Sequence, residues 1–182
     1  RSRRGAMPES QVTISSRLGY EGHRIKVRSD HVRMSNGVES TVDVVEGPDA
    51  VTIVAVDGEQ NVLLVRQYRK APERELLELP AGGLEPGEVA LDAAQRELRE
   101  ETGHAAGRMV ELGTFYSAPG LLTELTYVYL AHDLREDPLP SDEDEEIELE
   151  RMSFDDAVAA ARDGRLRDLK TLAALLLAAP HV

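Results

Sequence analysis

Three glutamates crowd the end of one short helix, and no other feature of the sequence constrains the chain as much. Residues 89–102 carry helical periodicity, with Leu91, Ala94 and Leu98 on one stripe and Gly103 behind them as a stop signal. Glu97, Glu100 and Glu101 fall on an adjoining face, with Glu97 and Glu101 stacked four residues apart. Like charges at that spacing repel, and the negative end of the helix dipole penalises all three again. Interleaved Arg96 and Arg99 soften the repulsion, as on an ordinary solvated face. The other reading is a bound positive partner. Carboxylate oxygens suit a hard divalent cation, Mg²⁺ first and Mn²⁺ as its substitute. The segment leading in, Leu79-Pro80-Ala81-Gly82-Gly83-Leu84-Glu85-Pro86-Gly87-Glu88, is punctuated with glycine. Its carbonyls can therefore approach a metal and its amides an anion.

Around that helix the pattern is mixed. Residues 50–56 and 62–68 read as β-branched strands joined at Asp57-Gly58, and 75–79 as a short strand ended by Pro80. Residues 110–116, 123–131 and 147–152 read as three more. Ser153 caps a helix over 154–163, and a last helix covers 168–179. Strands, helix, strands, helices in that order argue an α+β fold with a mixed sheet. Ahead of Gly47-Pro48, residues 11–18, 24–34 and 39–46 alternate with period two about an Asn36-Gly37 turn, which predicts a small antiparallel sheet. Its few large apolar residues leave it needing a partner, either the main body or another subunit. The division is thus 1–6 as a cloning remnant or disordered arm, 7–46 as the N-terminal sheet subdomain, and 47–182 as the main domain.

Charge and composition remove whole function classes. The 182 residues carry a net charge of −13, which repels phosphate backbones and anionic bilayers, so neither nucleic acid nor membrane is an expected partner. There is no cysteine, hence no disulfide, thiolate metal site or cysteine nucleophile. The basic start is not followed by an apolar stretch of signal-peptide type, and a cytoplasmic protein is expected. No Walker A, G-x-G-x-x-G, G-x-S-x-G or H-E-x-x-H motif occurs, and the five histidines are scattered.

Gly82, Glu88, Arg96, Glu97, Leu98, Glu100, Glu101 and Gly103 together spell G-x5-E-x7-R-E-L-x-E-E-x-G. This resembles the Nudix box, the signature of Nudix hydrolases, with His104 standing at a final position that is usually aliphatic. The resemblance implies a Nudix α/β/α sandwich from about Pro48 onward. Pro119, sixteen residues after Gly103, is similar in placement to the ADP-ribose pyrophosphatase subfamily, as are Val65-Arg66-Gln67-Tyr68-Arg69 and Glu78-Leu79-Pro80-Ala81-Gly82. In that subfamily an N-terminal sheet is exchanged across a homodimer, so a homodimer is expected here.

Position by position, the resemblance implies metal ligation by Glu97 and Glu101 with the carbonyl of Ala81, and Glu100 as a further or water-mediated ligand. It implies an Arg96–Glu88 ion pair between helix and loop, placing Arg96 with Glu100 in the catalytic set. Arg66 and Arg69 would meet the diphosphate and its sugar, Glu78 would join the substrate-binding set, and Glu124 would accept from a ribose hydroxyl. Seven of the nine residues 142–150 are acidic, and this segment corresponds to the loop that delivers a catalytic glutamate; Glu143 and Glu145 both match. The expected reaction is metal-dependent hydrolysis of ADP-ribose to AMP and ribose 5-phosphate. Other nucleotide sugars or nucleoside triphosphates are rival substrates. A non-catalytic ligand sensor is the rival outside enzymes, and it is disfavoured because all three box acids are present.

Overall fold

The period-two pattern at the start of the chain folds as an antiparallel meander of β1 (Gln11–Glu21), β2 (Lys26–Met34) and β3 (Glu39–Glu46), in that spatial order. The computed structural model describes residues 10–140 and 146–182. Gly37 closes the β2–β3 hairpin with a φ of 85°, and Asn36 Oδ1 accepts from the Val38 amide at 3.0 Å. The chain divides into two units, and the first joins this meander, up to Pro48, to a distant segment, Ala118–Glu124. Val45 donates its amide to Leu121 at 2.8 Å and accepts from Thr123 at 3.0 Å, so residues 121–123 extend the sheet beside β3. Every residue of β1 is exposed, and Val12, Ile14, Leu18 and Tyr20 lie bare at alternating positions.

Among the described residues, the second unit, Asp49–Ser117 with Leu125–Val182, contains two sheets and three helices. One sheet has the order β10 (Ile147–Ser153), β5 (Asn61–Arg69), β6 (Arg74–Glu78). The other runs β7 (Ala81–Gly83), β4 (Ala50–Ala55), β9 (Leu125–Glu136), β8 (His104–Tyr116), with β4 and β9 parallel and the rest antiparallel. Side chains alternate between two cores. Val54, Val62, Leu64, Val128 and Leu130 pack with α2 (Phe154–Asp163) and α3 (Leu169–Ala178). Val51, Ile53, Leu63 and Tyr129 pack instead with α1 (Ala90–Thr102). This is the α+β arrangement of strands between helices that the element order implies.

Three details differ from the expectations. Strand β8 begins at His104, six residues earlier than the alternation suggests, because Ala105 and Ala106 are too small to mark it. Residues 81–83 form a strand against β4, which three residues are too few to announce. On α1 the buried stripe is Ala93, Ala94, Glu97, Leu98, Glu101 and Thr102, while Leu91 is exposed. Two of the three acids therefore stand on the core side of the helix.

Candidate active site

The acids are placed by how α1 is held at its two ends. Gly103 adopts φ 73°, a left-handed turn that glycine takes freely, and its amide donates to Arg99 at 3.1 Å. The Arg99 guanidinium in turn donates to the carbonyl and carboxylate of Asp137 at 2.9 and 3.0 Å. Thr102 Oγ1 bonds back to the Leu98 carbonyl. The helix end is thus fixed against the residues that follow β9, and Glu97, Glu100 and Glu101 are fixed with it.

Arg96 is the hub. Its Nε and Nη2 donate to the two oxygens of Glu88, both at 3.0 Å, and Nη2 also reaches the Gly83 carbonyl at 2.9 Å. Its Nη1 donates to Glu97 at 2.7 Å and to Glu100 at 2.9 Å. Glu88 accepts from the Glu85 amide as well, so the loop closes on itself. Hydrogen bonding to Glu88 raises Arg96 above its ordinary value, and hydrogen bonding to Arg96 holds the Glu88 carboxyl below its own.

The glycine loop lies against the same acids. A Cβ built on Gly82 would overlap the Glu97 carboxylate, so only glycine lets that side chain lie across the loop. Glu101 accepts from the Ala81 amide at 2.9 Å. Both carboxylates are about nine-tenths buried, an arrangement that needs countercharge. Among the described residues, no three Asp, Glu or His side chains already close on a single metal-binding point. The donor chemistry nevertheless fits a hard divalent cation: carboxylate oxygens from Glu97, Glu100 and Glu101, a strand of backbone carbonyls, and a cradle kept open by Gly82.

A second charged group lies at the ends of β5 and β6. Arg69 donates through Nε and Nη2 to both oxygens of Glu78, at 2.9 and 2.8 Å, and Lys170 donates to Glu78 Oε2 at 2.7 Å. Burial pushes the Glu78 carboxyl up, but Arg69 and Lys170 outweigh it and the net shift is downward. The hydrogen bonds to Glu78 raise Arg69 against the opposing effect of burial, and the Glu101 and Asp168 carboxylates add to the rise. Glu101 accepts from the Ala81 amide, three residues along the chain from the Glu78 that holds Arg69, so the guanidinium and the box acids flank one short segment. Sequence reasoning missed Lys170 and Thr171, whose signal was only a helix start at Asp168.

The remaining expected residues have other surroundings. Arg66 and Arg69 do not converge, because residues three apart on a strand point to opposite faces. Arg66 pairs with Glu150 on β10 and lines a cavity of about 350 Å³ with Arg74, Arg165 and Arg167. Glu78 is 1% exposed, and its carboxylate is engaged by Arg69 and Lys170. Glu124 is half-buried in the segment that joins the first unit. Glu143 and Glu145 lie outside the described residues.

The sequence matches the NUDIX domain over residues 47–175. The chain belongs to the Nudix family. It is 36% identical over 167 residues to an ADP-ribose pyrophosphatase of Bacillus subtilis and, to the same extent, to a methanol dehydrogenase activator of Bacillus methanolicus; both alignments cover 91% of this chain and 90% of the relative. With an ADP-ribose pyrophosphatase of Mycobacterium tuberculosis it shares 42% identity over 151 residues, covering 82% of this chain and 73% of that one. A crystal structure described as an ADP compounds hydrolase has the same fold, at a TM-score of 0.86 and 24% identity over 97% of this chain and 96% of that one. This Nudix chain is a hydrolase acting on phosphoanhydride bonds, and the family works with divalent metal ions. No helix among the described residues is long and apolar enough to cross a membrane.

Two expectations test this Nudix site. Gly82→Ala drives a methyl into the flexible end of Glu97, so the fold survives while the carboxylate is displaced. We expect kcat/KM and metal activation to fall by roughly a hundredfold with little change in Tm; parental kinetics would show that Glu97 is not committed to the cradle. Glu88 has a folded value below its unfolded one, so its stabilisation is complete above the ordinary carboxylate range and is lost as pH falls through the folded value. Glu88→Gln should lower Tm at about neutral pH, with the deficit shrinking toward about pH 3. A deficit that is constant with pH would assign it to packing alone.

Proposed function

We propose that this Nudix hydrolase cleaves ADP-ribose with water to AMP and ribose 5-phosphate, using Mg²⁺, with Mn²⁺ able to substitute. The observation that carries the reading is a pair of opposite charges held by one short segment: buried Glu101 accepts from the Ala81 amide, and Arg69 is bound to Glu78, three residues earlier. A diphosphate needs both, since its own charge must be neutralised while a nucleophile approaches. The similarity to relatives named ADP-ribose pyrophosphatases supports the choice of substrate.

Glu97 and Glu101, the Ala81 carbonyl and Glu100 would hold the cation. When bound, the cation neutralises phosphoryl charge and lowers the pKa of a coordinated water. Arg96 keeps the carboxylates aimed and the loop seated on the helix. Arg69, with Nε and Nη2 on Glu78, offers Nη1 to a phosphoryl oxygen. A glutamate of the acidic segment, Glu143 or Glu145, takes the proton of the attacking water as general base. The new phosphorus–oxygen bond forms as the bridging oxygen leaves with the other phosphate. Glu124 accepts from a ribose hydroxyl. Arg66, on the opposite face of β5, takes no part in this clamp.

A homodimer belongs to the same proposal. It is supported by the bare row of Val12, Ile14, Leu18 and Tyr20 on β1, an apolar edge strand of the kind that is normally covered. A cytoplasmic location fits a cysteine-free chain, which needs no oxidising compartment.

Steady-state kcat/KM across ADP-ribose, UDP- and GDP-sugars and dNTPs in Mg²⁺, with products identified, tests the activity. ADP-ribose should lead. Glu101→Gln should nearly abolish its turnover while the metal-free protein stays as stable as the parent or slightly more so, because a like-charge pair is removed. A dNTP preferred by about tenfold or more would overturn the roles of Arg69 and Glu124. For assembly, Leu18→Asp should convert a dimer to monomer in sedimentation; an unchanged mass would exclude β1 as the interface.

A further inference from the structure

Lys170 belongs to no motif, yet it makes the closest contact to the most buried carboxylate near the site. Glu78 is 1% exposed, and its Oε2 accepts from Arg69 Nη2 at 2.8 Å and from Lys170 Nζ at 2.7 Å. Lys170 also donates to Asp168 Oδ1 at 2.8 Å. The other Asp168 oxygen caps α3, accepting from the Thr171 amide at 3.0 Å and its hydroxyl at 2.7 Å. Thr171 Oγ1, fully buried, accepts from the Leu79 amide at 2.9 Å. The first turn of α3 is therefore locked to Glu78 and Leu79, two successive residues 92 positions away.

An arginine bound in two-point fashion to one carboxylate is electrically cancelled by it. An incoming phosphate would meet a neutral pair. A second cation on the same oxygen changes that sum, because Glu78 is then shared by two positive charges. Asp168 returns part of the charge, but it also faces the positive end of the α3 dipole and is balanced there. We infer that Lys170, held by Asp168 and Thr171 in the first turn of α3, is a positioning residue that keeps the charge and the orientation of Arg69 available to the substrate's diphosphate. The inference rests on the reading of Arg69 as the phosphate-facing group. Lys170 touches no substrate in this arrangement and acts through Glu78.

The test is a double-mutant cycle on the full chain in saturating Mg²⁺, using ADP-ribose, with the Arg69 Nε–H signal followed by NMR. Lys170→Gln keeps a donor and removes the charge. It should lower kcat/KM by roughly ten- to a hundredfold and shift the Arg69 signal, and Lys170→Arg should restore both. In an Arg69→Met background, Lys170→Gln should have no further effect. Should Lys170→Gln fail to fold, Lys170→Met is carried through the same cycle. A merely structural lysine would lower Tm yet leave kcat/KM per folded molecule and the Arg69 signal unmoved, or would cost as much without Arg69 as with it; either result overturns the inference. If Arg69→Met itself keeps the parental kcat/KM, the phosphate-facing reading falls and takes this inference with it. If Arg69→Met fails while Lys170→Gln does not, the inference alone falls.

Discussion

The arrangement depends on one guanidinium. Arg96 has acceptors on all sides: two glutamates of its own helix, a glutamate eight residues upstream and a carbonyl of β7. Only arginine offers five donors in a fixed planar fork, and a lysine ammonium could not reach loop and helix together. Removing such a partner from buried carboxylates leaves their charge uncompensated, which costs several kcal/mol, on the order of what a small domain has to spare. Arg96 therefore settles two matters in one place. It lets acids lie on the core side of α1, and it ties the glycine loop to the helix that carries them.

The rest of the second unit makes that concentration of charge tolerable. β4 and β9 pair in parallel at the middle of their sheet, and their side chains alternate between the two cores. Helix α1 is thus seated on a fully buried apolar surface through Ala93, Ala94 and Leu98, and the acids occupy the remaining turns of the same stripe. Stability comes from close packing at Leu98 and is given up at Glu97 and Glu101. Gly82 shows the same exchange on a smaller scale, since a side chain there would add contacts but would occupy the space of a carboxylate.

How much of this could be read in advance follows sequence distance. Glu97, Glu100, Glu101 and Arg96 lie within six residues, so helical spacing alone puts them side by side, and the α+β class follows from the order of periodic segments. Leu91 was misplaced because an idealised stripe favours the larger side chain, whereas the packed helix buries Ala93 in its stead. Arg66 and Arg69 look like a clamp when read as a motif, and strand alternation separates them. Lys170 and Thr171 were invisible because their partners Glu78 and Leu79 are 92 residues earlier, and no local pattern records such a pairing. The relatives add the family and its class of chemistry, which spacing could suggest only by resemblance.

The segment 118–124 has a consequence for the order in which the molecule is made. The meander is synthesised before β4 and everything after it, but the strand edge beside Val45 is completed by Leu121 and Thr123, residues that follow β8. Until they exist, β3 presents open backbone groups, and edges of that kind invite pairing with other chains. The whole of α1, with its load of acids, has been made before that edge is sealed. A segment made before β4 is thus finished only after β8, and the connection between β8 and β9 serves as the latch on its open edge.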